Sequence, residues 1–390
     1  MYLNFEDITS LSLAFEEDLI PENIIKRIEI IINKDININN TIIFFDEIQI
    51  SERAINSLKY FCEADINYRI ICAGSLLGVK LHRFNSSFPV GKVRILSMYP
   101  MDFEEFLWAC NEKKLSNEIR NCFKEKKLIM DVLHERALKY FLDYLFVGGM
   151  PQAVKNYIEN DKNAMKFDRT IHTSIIMAYI ADMRKYVNSP AETVKINEIY
   201  ESIPRQLAKE NTKFKYNAVN PLANKRDYEL PLDWLVASSL VYRACKTEKM
   251  QSPLKAYLDQ SNFKIYLNDI GLLSSLSKTN LNDIQFENDN TFRGALTENY
   301  VAQALTALSK DLIYFKPTQT MEIDFVIADE MSNVIPIEVK SGTHIKSRSL
   351  SNYIIKHKPV YAIRISARNF GFTNNVFSVP LYAVFCLDKL

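Results

Sequence analysis

Glycine is scarce in this chain. Of 390 residues only nine are glycine, and the first of them is Gly74. A phosphate-cradling loop of the form GxGxxG or GxxxxGK[ST] is therefore excluded before residue 74. Gly91-Lys92 is followed by Val93, and Ser86 stands where such a loop would need its first glycine. The six cysteines (Cys62, Cys72, Cys110, Cys122, Cys245, Cys386) include no CxxC pair. That argues against a structural zinc site or a disulfide framework. No apolar run approaches the roughly 18 residues of a spanning helix, and the opening MYLNFED has no basic-then-apolar leader pattern. The expectation is a soluble, cytoplasmic protein with no membrane partner. An excess of one charge is missing too. Lys and Arg number 48 against 47 Asp and Glu, a net charge of +1, which excludes a strongly basic nucleic-acid coat protein. The back half is mildly basic, a weak pointer to a polyanion partner there. What remains is ample: 47% apolar and 24% charged residues describe a folded chain, long enough for two or three domains.

Residues 1–107 alternate between strand and helix patterns. Tyr2–Phe5, Thr41–Phe45 and Tyr68–Ala73 are short apolar runs. Pro21 opens a helix with Ile24, Ile25, Ile28, Ile31 and Ile32 on one face, and residues 52–62 repeat helical spacing. Buried strands alternating with helices predict a parallel α/β sheet. Residues 108–190 read as a helical lid or connector, with a helix that stops at Gly148-Gly149 and restarts at Pro151. Residues 191–290 read as a helical, winged-helix-like module, with helices over Ile196–Leu207 and Tyr228–Ala237. From 291 to 390 the expected order is αβββαβ: helix Phe292–Leu308, strands Leu312–Phe315, Ile323–Ala328 and Val334–Val339, helix Ser347–Lys356, strand Val360–Ile365.

Two constellations carry chemistry. The first is Thr41-Ile-Ile-Phe-Phe-Asp46-Glu47. An apolar strand delivers two carboxylates at its carboxyl end, where parallel sheets place ligands. An aspartate there can hold Mg²⁺ through water, and the following glutamate can orient a hydrolytic water. The bland alternative is an ordinary strand leading into a helix whose first turn favours acids. A second strand ends at Gly74-Ser75, beside the first.

With SFPVGKVRILSMYPMDFEEFL at 87–107 added, residues 1–107 resemble a predicted AAA-type ATPase family of bacteria and archaea. Its members follow the ATPase core with a carboxy-terminal domain of unknown function. The resemblance extends to the GGMP turn at 148–151, NDIGLL at 268–273 and EVKSG at 338–342. It implies that Asp46 and Glu47 are a Walker B pair serving ATP and Mg²⁺, and that Ser75 is the first sensor. Family members carry a GxxxxGKT loop about 20 residues ahead of the strand that YLNFED resembles. The expectation is thus a truncated P-loop-type core without its first strand, phosphate loop and helix, or a coding start that lies upstream.

The second constellation is Glu298, Asp324, Glu338 and Lys340. Period two puts Glu338 and Lys340 on one strand face. A hairpin through Asp329–Asn333 can set Asp324 beside Glu338, and Glu298 can approach from the preceding helix. Acid and acid-x-lysine on an αβββαβ unit resemble the PD-(D/E)xK restriction-endonuclease core, although Ile323 stands where that motif has proline. The resemblance implies that Asp324 and Glu338 hold Mg²⁺ or Mn²⁺, with the carbonyl of Val339 as a third ligand. Lys340 would serve the attacking water, and Glu298 would orient the lysine or a second metal. The alternative is a structural ion cluster in a catalytically dead fold.

Among lesser candidates, His82, His134, His172, His344 and His357 form no i, i+4 pair and read as surface or core histidines. His344 and Lys346 are candidate phosphate contacts. Arg83, Lys92 and Arg94 are candidate trans-acting arginines, with surface charge as the plainer reading. A complete ATP-dependent switch whose coding start lies upstream is one reading the sequence leaves, and two others differ from it in kind. One is a nucleic-acid-linked ATPase–nuclease, with a homo-oligomer as a candidate assembly and nucleotide hydrolysis compromised by the absent phosphate loop. The other is a non-enzymatic DNA- or protein-binding regulator that keeps both folds without turnover.

Overall fold

The computed structural model describes residues 1–74, 91–186, 189–209, 212–284, 291–318, 321–343 and 348–390. These form two compact units, Met1–Met98 and Tyr99–Leu390.

In the first unit, strands β1 (Tyr2–Asn4), β2 (Ile42–Asp46) and β3 (Arg69–Cys72) make a parallel sheet in the order β1-β2-β3. Register pairs Tyr2 with Phe44, and Phe44 with Ile71. Pleating sends Leu3, Ile43 and Phe45 to one face, where they are buried against Ile24, Ile25 and Ile28 of the Pro21–Ile32 helix and Ile55 and Phe61 of the Glu52–Glu63 helix. Pro21 occupies the first turn of its helix, where no amide hydrogen is needed. The Ser51 hydroxyl caps the other helix by accepting the Ala54 N–H at 3.2 Å. The parallel sheet is as expected, but its opposite face is exposed. Tyr2, Ile42 and Ile71 are 60%, 50% and 50% exposed there, because no described residue forms a layer over it.

The second unit begins helical. The Phe103–Ala109 helix opens with a capping box in which Asp102 and Glu105 satisfy each other's amides. The Asp131–Val147 helix ends at Gly148, whose φ of +76° suits glycine, and the chain resumes as helix at Pro151. Helices Pro190–Leu207 and Lys225–Ala237 follow. The two expected helices of 191–290 are present, and strands that the sequence reading did not name follow them. Strands β4 (Val241–Thr247) and β5 (Leu258–Leu267) form an antiparallel hairpin with an irregularity at Cys245/Lys246. The run from Phe263 to Leu267 is buried throughout apart from its backbone pairing. It lacks the alternation that announces a strand and merges into the Ile270–Leu276 helix.

The last hundred residues follow the expected order. Helix Thr291–Ala307 leads to β6 (Ile313–Phe315), β7 (Phe325–Ala328) and β8 (Val334–Val339), then helix Arg348–His357 and β9 (Ala362–Ser366). Two further strands, β10 (Gly371–Thr373) and β11 (Val376–Pro380), complete a five-stranded sheet in the order β10-β11-β9-β8-β7. β6 lies elsewhere than expected. It pairs in parallel with β4 and touches the approach to β7 through one bridge, Phe315 to Ile323.

Two glycine-containing segments far apart in sequence meet here. Asp269 Oδ2 accepts the Gly149 N–H at 2.7 Å, and its Oδ1 caps the next helix through Leu272 N–H at 2.9 Å. A β-carbon on Gly271 would sit 2.4 Å from the Val147 carbonyl oxygen, and one on Gly149 would sit 2.0 Å from that of Met101. GGMP and NDIGLL are therefore two halves of one packing joint.

Candidate functional sites

Asp46 ends the central strand of the first sheet. Its Oδ2 accepts the Tyr2 hydroxyl and, at 3.4 Å, the Asn4 amide, both from the neighbouring strand. Its Oδ1 accepts the Glu47 N–H at 3.1 Å. Glu47 turns the chain out of the strand in the left-handed region, φ 53°, and its carboxylate takes the Gln49 amide. The carboxylates thus stand at the carboxyl end of the strand, as the sequence requires, and each is engaged by side chains of its own unit. Ser75, His82, Arg83, His344 and Lys346 lie outside the described residues. Lys92 pairs with Glu63 at 3.0 Å, the surface ion pair of the plainer reading.

The second constellation assembles around the start of β7. The antiparallel register that sets Phe325 against Ile337 sets Asp324 against Glu338. Asp324 Oδ2 accepts the Val339 N–H at 2.7 Å. Glu338 is buried, and its Oε1 meets Lys340 Nζ at 2.7 Å. Glu298 reaches the same neighbourhood from its helix, but not to orient Lys340. Its Oε1 is held by Lys264 Nζ at 2.7 Å and by the Tyr266 hydroxyl at 2.5 Å. Lys264 also meets Glu322 at 2.6 Å, and Glu322 in turn meets Lys316 at 2.5 Å.

Burial pushes the Asp324 carboxyl well above the usual carboxylate range, and the charges of Glu338 and Glu298 push it further. Lys264 and the Val339 amide oppose this without cancelling it. For Lys264 burial disfavours the charge, but Glu298, the Tyr266 hydroxyl and Glu322 outweigh it and hold the ammonium well above its ordinary value. Lys340 is raised in the same way, burial being outweighed by Glu338. Glu322 is lowered, because Lys264 and Lys316 outweigh its burial.

Lys264, Tyr266 and Glu322 were not foreseen. The signal for Lys264 was present in Phe263-Lys-Ile-Tyr-Leu, a lysine inside an apolar run. A buried ammonium needs carboxylate partners, but nothing local says which.

Among the described residues, no group of three or more His, Cys, Asp or Glu side chains has the proximity of a ready metal site. The donor chemistry of Asp324 and Glu338 still fits a hard divalent cation. Both offer carboxylate oxygens, and the burial and like charges that push the Asp324 carboxyl up are what a dication would offset.

Three stretches of the chain match known domain families. Residues 1–107 match an AAA domain, 138–283 a domain of unknown function (DUF8612), and 293–384 a second domain of unknown function (DUF4143). The front of the chain is thus similar to AAA domains and its back to DUF4143. Domains of the AAA kind use nucleotide and Mg²⁺ in general. Among solved structures, the Walker-type ATPase PABY2304 of Pyrococcus abyssi is similar at 15% identity and a TM-score of 0.38, over 71% of this chain and 83% of that one. No curated protein matches. No described helix is long and apolar enough to cross a membrane.

Proposed function

We propose that the DUF4143-like part of this AAA-type chain is a metal-dependent phosphodiesterase acting on nucleic acid. The observation that supports it is the meeting of Asp324, Glu338 and Lys340 on one face of the five-stranded sheet, with the Asp324 carboxyl pushed up first by burial and then by the charges of Glu338 and Glu298. Asp324 and Glu338 would hold Mg²⁺ or Mn²⁺. Such an ion supplies charge neutralisation at phosphate and an acidified water. Lys340, one pleat beyond Glu338 and about one-third exposed, presents a cation at the edge of the cluster where an attacking water and a developing oxyanion would be stabilised. The Lys264–Glu298–Tyr266 network fixes the wall behind Asp324. In the amino-terminal unit Asp46 would hold Mg²⁺ and Glu47 would orient water if ATP is bound. For Glu47 that requires release from Gln49.

The test is cleavage of labelled linear, circular and single-stranded DNA in Mg²⁺ or Mn²⁺. Activity should fall about a hundredfold or more in Asp324→Asn and in Lys340→Ala. A folded protein that cuts none of these substrates would sink the proposal. One observation favours a second reading, a non-enzymatic binding protein with degenerate folds: the carboxylates already have partners, Asp324 on the Val339 amide and Glu338 on Lys340. DNA binding without cleavage by any form would support that reading instead.

A further inference from the structure

The acidic cluster is one end of a longer row. Across the five-stranded sheet, Asp324 stands opposite Glu338, Glu338 opposite Arg364 on β9, and Arg364 opposite Ser378 on β11. These four residues therefore share one face. Arg364 is half-buried, and its Nε makes no hydrogen bond within the described residues. Burial lowers its affinity for a proton, while the charge of Glu338 acts in the opposite sense.

Arg364 and Ser378 also line a cleft of about 910 Å³. Its described wall carries Arg368 and the hydroxyl-bearing Thr343 and Thr373, and it includes no aspartate or glutamate. Arg368 is steered into place by its Nε, which donates to the Thr343 carbonyl at 2.8 Å. Ile354, Ile355 and Phe370 form an apolar side. A half-buried guanidinium with a free donor, a second arginine, a described wall without carboxylates and an apolar side suit a phosphate ester attached to a planar or apolar body, with Glu338 on the next strand as the one acidic neighbour that a phosphate would face across Arg364.

We propose that this cleft is a phosphate-binding subsite for a nucleic-acid strand, with Arg364 taking a phosphate oxygen one strand away from the Asp324–Glu338–Lys340 cluster. The choice of a strand as ligand rests on the function proposed above; the anion site itself rests on the cleft.

The experiment is fluorescence anisotropy of a labelled oligothymidine of about 15 nucleotides, with the full chain, in EDTA and over a series of salt concentrations. Arg364→Ala should weaken binding about tenfold, and it should reduce the log–log salt slope by about one. Arg364→Lys should recover part of the affinity. Lys155→Ala, a change on an exposed helix, should leave both quantities unchanged. Arg364→Gln keeps the polar stem and serves if the alanine variant is unstable. A role confined to balancing Glu338 would shift thermal stability and leave the salt slope alone, and that result overturns the proposal. So does a wild-type protein that does not bind the oligonucleotide. Competition by adenosine monophosphate as strong, per phosphate, as by the strand would reassign the cleft to free nucleotides and also overturn it. Because EDTA removes cleavage from the measurement, Arg364-dependent binding by Asp324→Asn separates this subsite from the fate of the nuclease reading.

Discussion

Asp269 and His172 show how single buried groups respond to pH at the GGMP–NDIGLL joint. Burial pushes Asp269 up to about 6, although the amides of Gly149, Leu272 and Gly271 pull the other way. Burial pushes His172 down to about 4, against its bond to the Val147 carbonyl at 2.8 Å. Their signs are opposite. Between pH 4 and 6 the native Asp269 holds a proton that the unfolded residue has lost, so its contribution to stability grows as pH falls. Between pH 6.5 and 4 the unfolded His172 gains a proton that the native residue refuses, so stability is lost as pH falls. Asp269→Asn should therefore unmask a loss of stability on acidification, and His172→Gln a gain, each on the order of 1–3 kcal/mol across that window. Denaturant titrations at pH 4, 5, 6 and 7 would show it. Parallel pH profiles for the two variants would refute this account. The conservative isosteres matter, because Asp269→Ala would also strip the capping bonds of the Ile270–Leu276 helix.

At the scale of elements, β5 ties the hairpin to the carboxy-terminal sheet through charge rather than apolar packing alone. Lys264 is 2% exposed and sits between Glu298 of the Thr291–Ala307 helix and Glu322 ahead of β7. Removing it leaves two carboxylates facing one another with little water. Lys264→Met should cost about 3–5 kcal/mol in chemical denaturation. Lys155→Ala, whose pair with Glu159 is 76% and 59% exposed, should cost about 1 kcal/mol or less. Equal losses in the two variants would mean that the Lys264 network is no more desolvated than a surface pair.

At the scale of the whole molecule, each unit has its own core. The first is held by Phe5, Phe15 and Phe45 at centroid separations of 5.8–5.9 Å, under a three-stranded sheet with one face left uncovered by the described residues. The second contains a five-stranded sheet in which Ile335, Ile337, Ile363 and Ile365 are fully buried. Amides of β1, β2 and β3 should exchange with deuterium faster than those of β8 and β9, because opening the smaller sheet exposes less apolar surface. Phe45→Ala should lower the stability of the first unit by about 3–5 kcal/mol and leave protection of β8 unchanged. Equal protection of both sheets in the wild type would contradict this.

Sequence alone was enough wherever the controlling distance is short along the chain. Apolar periodicity located the three strands and two helices before Gly74. The Asp329–Asn333 turn, closed by the Asp329 N–H on the Asn333 carbonyl at 3.1 Å, predetermined that Asp324 would face Glu338. Period two placed Lys340 beside Glu338. The partners of Glu298 were out of reach of such reasoning. Lys264 lies 34 positions away on a hairpin whose buried apolar run lacks the alternation of a strand. The face of the first sheet left uncovered by the described residues was equally hidden, since a strand pattern does not say how many layers cover it. Nor does the sequence align Arg364 with Glu338, because parallel strands joined through a helix take their register from packing and not from loop length. Tertiary structure alone decided which charges share a face, because a buried charge is stabilised by whatever the fold brings within a few ångströms, however distant along the chain.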